Sequence, residues 1–166
     1  MALGSHAKSA RPVRAAFIST FVPRECGIAT FAEDVMTAVG GQGVTSKVVA
    51  MQRPGQRLQY DRRVIAQVQE DRLADYLAAA RTINRGNFDV LSVQHEFGIF
   101  GGEECDHLVR FLEAIEIPVI TTLHTILQRP SPAMRRTLHA VAARSDAIVV
   151  MNELAIPLLA RVYGVD

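Results

Sequence analysis

Arg14-Ala-Ala-Phe-Ile-Ser19, then Thr20-Phe-Val-Pro-Arg-Glu-Cys-Gly27, then Ile28, Phe31, Val35 and Val39 at helical spacing: the fold turns on this stretch. An apolar run that ends in turn residues reads as a buried strand, and apolar residues three and four apart read as a helix packed back on it. Gly40-Gly41 closes the helix. The β-branched run Val44-Thr-Ser-Lys-Val-Val-Ala50 supplies a second buried strand, which completes a strand, helix, strand unit.

The same alternation continues outward. Met51 to Asp61, rich in Arg, Gln, Pro and Gly, reads as an exposed loop leading to a short strand near Arg63-Val-Ile65. Asp71 stands where it would cap a helix bearing Leu73, Tyr76, Leu77 and Ala80, and Asp89-Val-Leu-Ser-Val93 is the next strand. Leu108, Phe111, Leu112 and Ile115 mark a further helix before the strand Pro118-Val-Ile-Thr-Thr-Leu123. Ser131-Pro132 forms a cap and first turn for a helix through Met134, Leu138 and Val141, and Asp146-Ala-Ile-Val-Val150 is the last strand. Parallel neighbours need crossover connections, so this alternation predicts a Rossmann-like, open, mainly parallel twisted α/β sheet with helices on both faces. Ligands of such sheets sit beyond the carboxyl ends of the strands, which draws attention to the loops after Ser19, Val93, Leu123 and Val150.

Composition bounds the rest. With 166 residues, 49% hydrophobic and 21% charged, the chain makes one domain with a proper core, expected over 13–166, while residues 1–12 read as a tag remnant or frayed terminus. Lys+Arg 18 against Asp+Glu 17 leaves a net charge of +1. No broad basic field is present for a nucleic-acid backbone, so no nucleic-acid partner is expected and any anion must be held locally. Cys26 and Cys105 lack zinc-type spacing and no signal peptide precedes them, which predicts a cytoplasmic location without a disulfide. No run approaches the ~20 apolar residues of a transmembrane helix, leaving peripheral membrane contact open.

Three loops carry candidate chemistry. In the first, Gly27 opens a helix whose unpaired amides and dipole favour a phosphate, although a lone glycine serves equally well as a tight turn. The second, Gln94-His-Glu-Phe-Gly-Ile-Phe-Gly-Gly-Glu-Glu104, offers Gln94, His95 and Glu96 to hydroxyl groups, with Gly101 and Gly102 permitting close backbone approach at the next helix start. That chemistry suits a sugar or polyol. Its structural alternative is a buried His95 satisfied by the neighbouring carboxylate, with glycines that merely turn the chain. The third, Thr121-Thr-Leu-His-Thr125, puts His124 and Thr125 at a strand's carboxyl edge, where a phosphate or hydroxyl is a natural partner. His95, Glu96, Glu103, Cys105, Asp106, His107 and His124 hold enough ligand atoms for zinc, but no HExxH occurs and no metal is expected.

Taken in order, Pro23-Arg-Glu-Cys-Gly-Ile-Ala-Thr-Phe31, Val93-Gln-His-Glu-Phe-Gly-Ile-Phe-Gly-Gly-Glu103 and Thr121-Thr-Leu-His-Thr125 resemble the N-terminal domain of family 4 glycosyltransferases, from about Arg14 to Asp166. Asp71-Arg-Leu-Ala-Asp-Tyr76, Ser145-Asp146, Val150-Met-Asn152 and Tyr163-Gly-Val165 extend the likeness. The resemblance implies the GT-B architecture, in which the first domain holds the acceptor, a C-terminal domain absent here holds a nucleoside diphosphate sugar as substrate, and no cofactor is needed. It implies hexosyl transfer to a hydroxyl acceptor with retention of configuration, the leaving diphosphate helping to deprotonate the acceptor, and a fragment inactive alone.

By the same resemblance His124 is the catalytic candidate, contacting the transferred sugar or its phosphate. Gly27 with Ile28 lies in the loop that approaches the donor phosphates, and His95 and Glu96 match acceptor-side positions. Glu25 with Glu33, and Glu96 with Glu104, show the family's Glu-x7-Glu spacing by coincidence, since that signature belongs to the second domain. Two alternatives remain: a non-catalytic Rossmann-like module that binds a carbohydrate or nucleotide, and a dinucleotide enzyme, which the lack of GxGxxG in the first loop disfavours.

Overall fold

The computed structural model describes residues 11–165; the expected tag or frayed segment lies mostly outside them. Six strands form one sheet, β1 (Arg14–Ser19), β2 (Thr45–Gln52), β3 (Val64–Gln69), β4 (Val90–His95), β5 (Val119–Leu123) and β6 (Ala147–Val150), ordered β3-β2-β1-β4-β5-β6. Every neighbouring pair is parallel. The expected open α/β architecture is therefore present. β1 matches its sequence range, whereas β3 and β4 run further toward their carboxyl ends than their apolar residues suggest. Ladder hydrogen bonds, not hydrophobicity, carry Gln67 and Gln69 of β3 and Gln94 and His95 of β4 into the sheet.

Helix α1 (Gly27–Gly40) covers β1 and β2 on one face. Helices α2 (Leu73–Arg85), α3 (Asp106–Glu113) and α4 (Pro132–Ala143) cover the other. Side-chain alternation along the strands explains the division: Ala15 and Phe17 pack with Ala32 and Met36 of α1, while Ala16 and Ile18 join Tyr76, Ile83, Phe111 and Val141 from the opposite layer. A short α5 (Ala155–Leu158) runs into a π-helical turn, Leu159–Tyr163, whose Leu159 and Tyr163 pack on Leu123 and Leu138.

Two local expectations are corrected. Asp71 does not cap α2: the cap is Arg72, without a side-chain bond, and Asp75 in the first turn accepts instead from the Gln69 amide at the end of β3 at 3.1 Å. On α1 the fully buried residues are the small Ala29 and Ala32 with Met36, because close approach to the sheet favours short side chains. Phe31, Val35 and Val39 instead wall an apolar cleft of about 510 Å³ over β1, β4, β5 and β6, where Ile120, Val149 and Met151 stay 37–50% exposed. Ser131 does cap α4 as expected, accepting from the Met134 amide at 3.0 Å with Pro132 in the first turn.

Candidate functional site

The strand order sets the place. β1 connects outward to β2 and β3, and the chain then crosses to β4 on the other side of β1, so the loops after β1 and β4 diverge and open a crevice at the sheet's carboxyl edge. A hollow of about 410 Å³ lined by Leu112, Glu116, Pro118 and Asp146 lies at the opposite end, where β5 and β6 begin.

Gly27 starts α1, with Cys26 extended at the cap and no acidic residue in the first turn. The Ala29 and Thr30 amides donate to the Cys26 carbonyl at 3.0 and 3.2 Å, which leaves the Gly27 and Ile28 amides at the helix start without a backbone acceptor. The Cys26 thiol touches the Thr20 hydroxyl at 3.3 Å. Burial pushes this thiol up, but the Thr20 bond, the amides of Ala29 and Ile28 and the Arg24 charge outweigh that effect and hold it below the usual value. The same groups make the helix start favourable to negative charge.

Gln94 on β4 and His124 just past the end of β5 meet: His124 Nε2 is 2.9 Å from Gln94 Oε1. Phe31 of α1 contacts the His124 ring edge-on at 4.8 Å, which joins the first loop's helix to the third loop. Glu96 closes the remaining gap, accepting from the Phe97 amide at 3.0 Å through Oε1 and from the Thr125 hydroxyl at 2.6 Å through Oε2. Tyr163 anchors the segment beyond, its hydroxyl accepting from the Leu127 amide and donating to the Leu127 carbonyl, both at 3.1 Å. His124 is half-buried and borders a cleft of about 230 Å³ with Gln128, Met151 and Asn152. Burial lowers its pKa below the ordinary 6.5, partly opposed by Glu96, so the ring is neutral at neutral pH.

His95 behaves differently. It is fully buried against Phe97 and Phe100, on the α2–α4 side of the sheet, and neither ring nitrogen has a partner. The expected structural alternative, satisfaction by Glu96, does not occur, because Glu96 points to Thr125. Burial, reinforced by nearby His124, pushes the His95 pKa down to about 4. The ring is closed off from solvent.

The glycines of the second loop serve the chain itself. A Cβ on Gly101 would overlap the Glu70 carbonyl oxygen, and its amide donates to the Tyr76 hydroxyl at 2.9 Å. Gly102 has φ +83° and a Cβ there would overlap an Asp106 carboxylate oxygen. The close approach these residues permit is therefore to Glu70 and Asp106. Among the described residues no group of three or more His, Cys, Asp or Glu side chains is arranged to hold a metal.

Sequence reading misses one buried ion pair at this edge. Arg24 Nη1 donates to Glu70 Oε1 at 2.7 Å and to the Met51 carbonyl at 3.2 Å. Arg24 stands inside the quoted first loop, but nothing in the local pattern names Glu70 as its partner.

No protein-family model matches the chain, and no curated protein does. Solved structures do match. An α-glucosyltransferase in complex with UDP and a 13-mer DNA containing an HMU base, at 2.8 Å, superposes with TM-score 0.61 at 16% identity over 93% of this chain and 40% of that one. A second complex of that description, at 1.9 Å, gives 0.56 at 16% over 84% and 38%. An α-glucosyltransferase with UDP gives 0.54 at 15% over 82% and 34%. The chain thus has the Rossmann-like fold of GT-B glycosyltransferases and spans about two fifths or less of the length of the structures it matches. Two of those three complexes contain DNA, so the expectation that excluded a nucleic-acid partner finds no support here. Net charge speaks only to the chain's summed field, not to a local contact. No helix among the described residues is long and apolar enough to cross a membrane.

Proposed function

We infer that this chain is the acceptor-side domain of a glycosyltransferase that moves a sugar from a nucleoside diphosphate to a hydroxyl group. One observation carries the reading: the hydrogen-bonded pairs Gln94–His124 and Glu96–Thr125, with Phe31 of α1 against the His124 ring, stand at the crevice where the strand order reverses. The shared fold with UDP-bound glucosyltransferases supports it.

Within this reading the amides around Gly27 and Ile28 face donor phosphate across the cleft, and the two polar pairs take hydroxyls. His124 is neutral with Nε2–H engaged by Gln94, so Nδ1 presents a lone pair that accepts from a sugar or acceptor hydroxyl. Preorganised amides stabilise the charge of the departing diphosphate, and the family resemblance adds retention of configuration without a metal or a protein nucleophile. The resemblance to family 4, a cytoplasmic location and inactivity of this chain by itself belong to the same proposal.

The test is a screen of the full-length enzyme against nucleoside diphosphate sugars and hydroxyl acceptors. Transfer should occur with one donor class, fall about a hundredfold in His124→Ala, and be absent from the 166-residue chain alone. Unchanged turnover in His124→Ala removes that residue's role. Transfer by the chain alone contradicts the half-enzyme assignment.

A further inference from the structure

Glu70 is the residue at which the first and second loops meet. Its carboxylate holds Arg24 of the first loop at 2.7 Å, and the two side chains are only 17% and 6% exposed. Its own amide donates to the Gln52 carbonyl at 2.9 Å, fixing it just past the end of β3. Its carbonyl accepts from the Tyr76 hydroxyl at 3.0 Å, and that hydroxyl accepts in turn from the Gly101 amide at 2.9 Å. The Gly101 Cα packs so tightly on the same carbonyl that no side chain fits.

Such a pair is expensive to assemble. Two charges are withdrawn from water, and a buried ion pair is often no more stabilising than apolar residues of the same volume. What it supplies is direction, because the guanidinium admits few geometries toward a carboxylate and a carbonyl at once.

We propose that Arg24 and Glu70 are positioning residues that register the first loop, and with it the α1 start, against the Gly101 turn of the second loop. Movement of one loop is thereby transmitted to the other through Glu70, Tyr76 and Gly101. The catalytic meaning rests on the transfer reading: the donor-facing amides and the acceptor-facing rim stay in one frame.

Cys26 provides a reporter. Cys105 is buried, its Sγ donates to the Phe97 carbonyl at 2.8 Å and its thiol is pushed up to about 12, so iodoacetamide alkylates only Cys26 in the folded chain. The Cys26 thiolate feels the Arg24 charge and the α1 amides. Glu70→Gln should slow alkylation at pH 7 by about threefold as Arg24 loses its anchor. Tyr76→Phe, which leaves Arg24 and Glu70 intact, should slow it in the same direction by less. Arg24→Lys, which keeps the charge, should retain more of the wild-type rate than Arg24→Met. A wild-type pH–rate profile in Glu70→Gln, or in Tyr76→Phe, overturns the proposal.

Alkylation of two thiols per chain marks a variant that has lost its fold, and the question then passes to the unsubstituted chain. There, native-state hydrogen exchange should show the Arg24 and Gly101 amides sharing one opening as denaturant rises; separate openings overturn the linkage. Neither measurement contains a sugar or nucleotide, so each fails or succeeds independently of the transfer reading.

Discussion

His124 Nε2 lies 2.9 Å from Gln94 Oε1, and since a carboxamide oxygen only accepts, the proton of the neutral ring sits on Nε2. Gln94 is itself aimed by its Nε2, which donates to the Ser92 hydroxyl at 3.0 Å. Ser92 and Gln94 of β4 thus favour one tautomer of His124, just past the end of β5, and leave Nδ1 as the acceptor.

Gln94→Leu should therefore release the tautomer before it disturbs the fold. Nitrogen NMR shifts should show one Nε2–H form of His124 in the wild type and a mixture in the variant. If the transfer reading holds, turnover of the full-length protein should fall about tenfold, the value of one oriented hydrogen bond. In the wild type, activity should decline as pH falls below the ordinary histidine range, because protonation converts Nδ1 from acceptor to donor. Activity that rises on acidification contradicts the acceptor role.

His95 makes stability acid-sensitive. Its folded pKa of about 4 lies below the unfolded value near 6.5, so the unfolded chain binds the extra proton first. The stabilisation is complete above pH 6.5, shrinks as pH falls toward 4, and is flat below; the span amounts to about 3 kcal/mol. His95→Leu removes two unpartnered buried nitrogens, so chemical denaturation should find it equal to or more stable than wild type at pH 7, with a flatter acid limb. An unchanged limb would show that another group dominates the acid response.

Gly101→Ala should be among the costlier single-methyl additions in the chain. The added carbon meets the Glu70 backbone, which cannot swing aside, so a loss of roughly 3 kcal/mol is expected, or about 10 °C in melting temperature. Gly27→Ala, where nothing lies within 4 Å of the new carbon, serves as the control and should melt within about 2 °C of wild type. Equal melting of the two would refute the packing role of Gly101.

Much of the fold was legible because its signals are local. Strand β1, the Ser131-Pro132 start of α4 and the buried face of α3 through Leu108, Phe111 and Leu112 follow from apolar spacing and cap chemistry alone. The α1 face was less legible. Periodicity marks Phe31, Val35 and Val39 as apolar but cannot say that Ala29 and Ala32 make the closest contact while the larger residues border an uncovered part of the sheet. A parallel sheet ordinarily has both faces covered, and spacing in one helix does not reveal that part of this sheet stays uncovered beside it.

For the candidate site, the sequence by itself determined which residue types stand at the carboxyl ends of β1, β4 and β5, because chain order and strand length place Gly27, Gln94, His95, Glu96, His124 and Thr125 there. Only the tertiary structure decided what each can do. Side chains alternate across a strand, so Gln94 meets His124 while its neighbour His95 turns to the opposite layer and is sealed beneath Phe97 and Phe100. The partners of Arg24 and Gly101 likewise come from distant parts of the chain, joined at Glu70 by packing that no local pattern encodes.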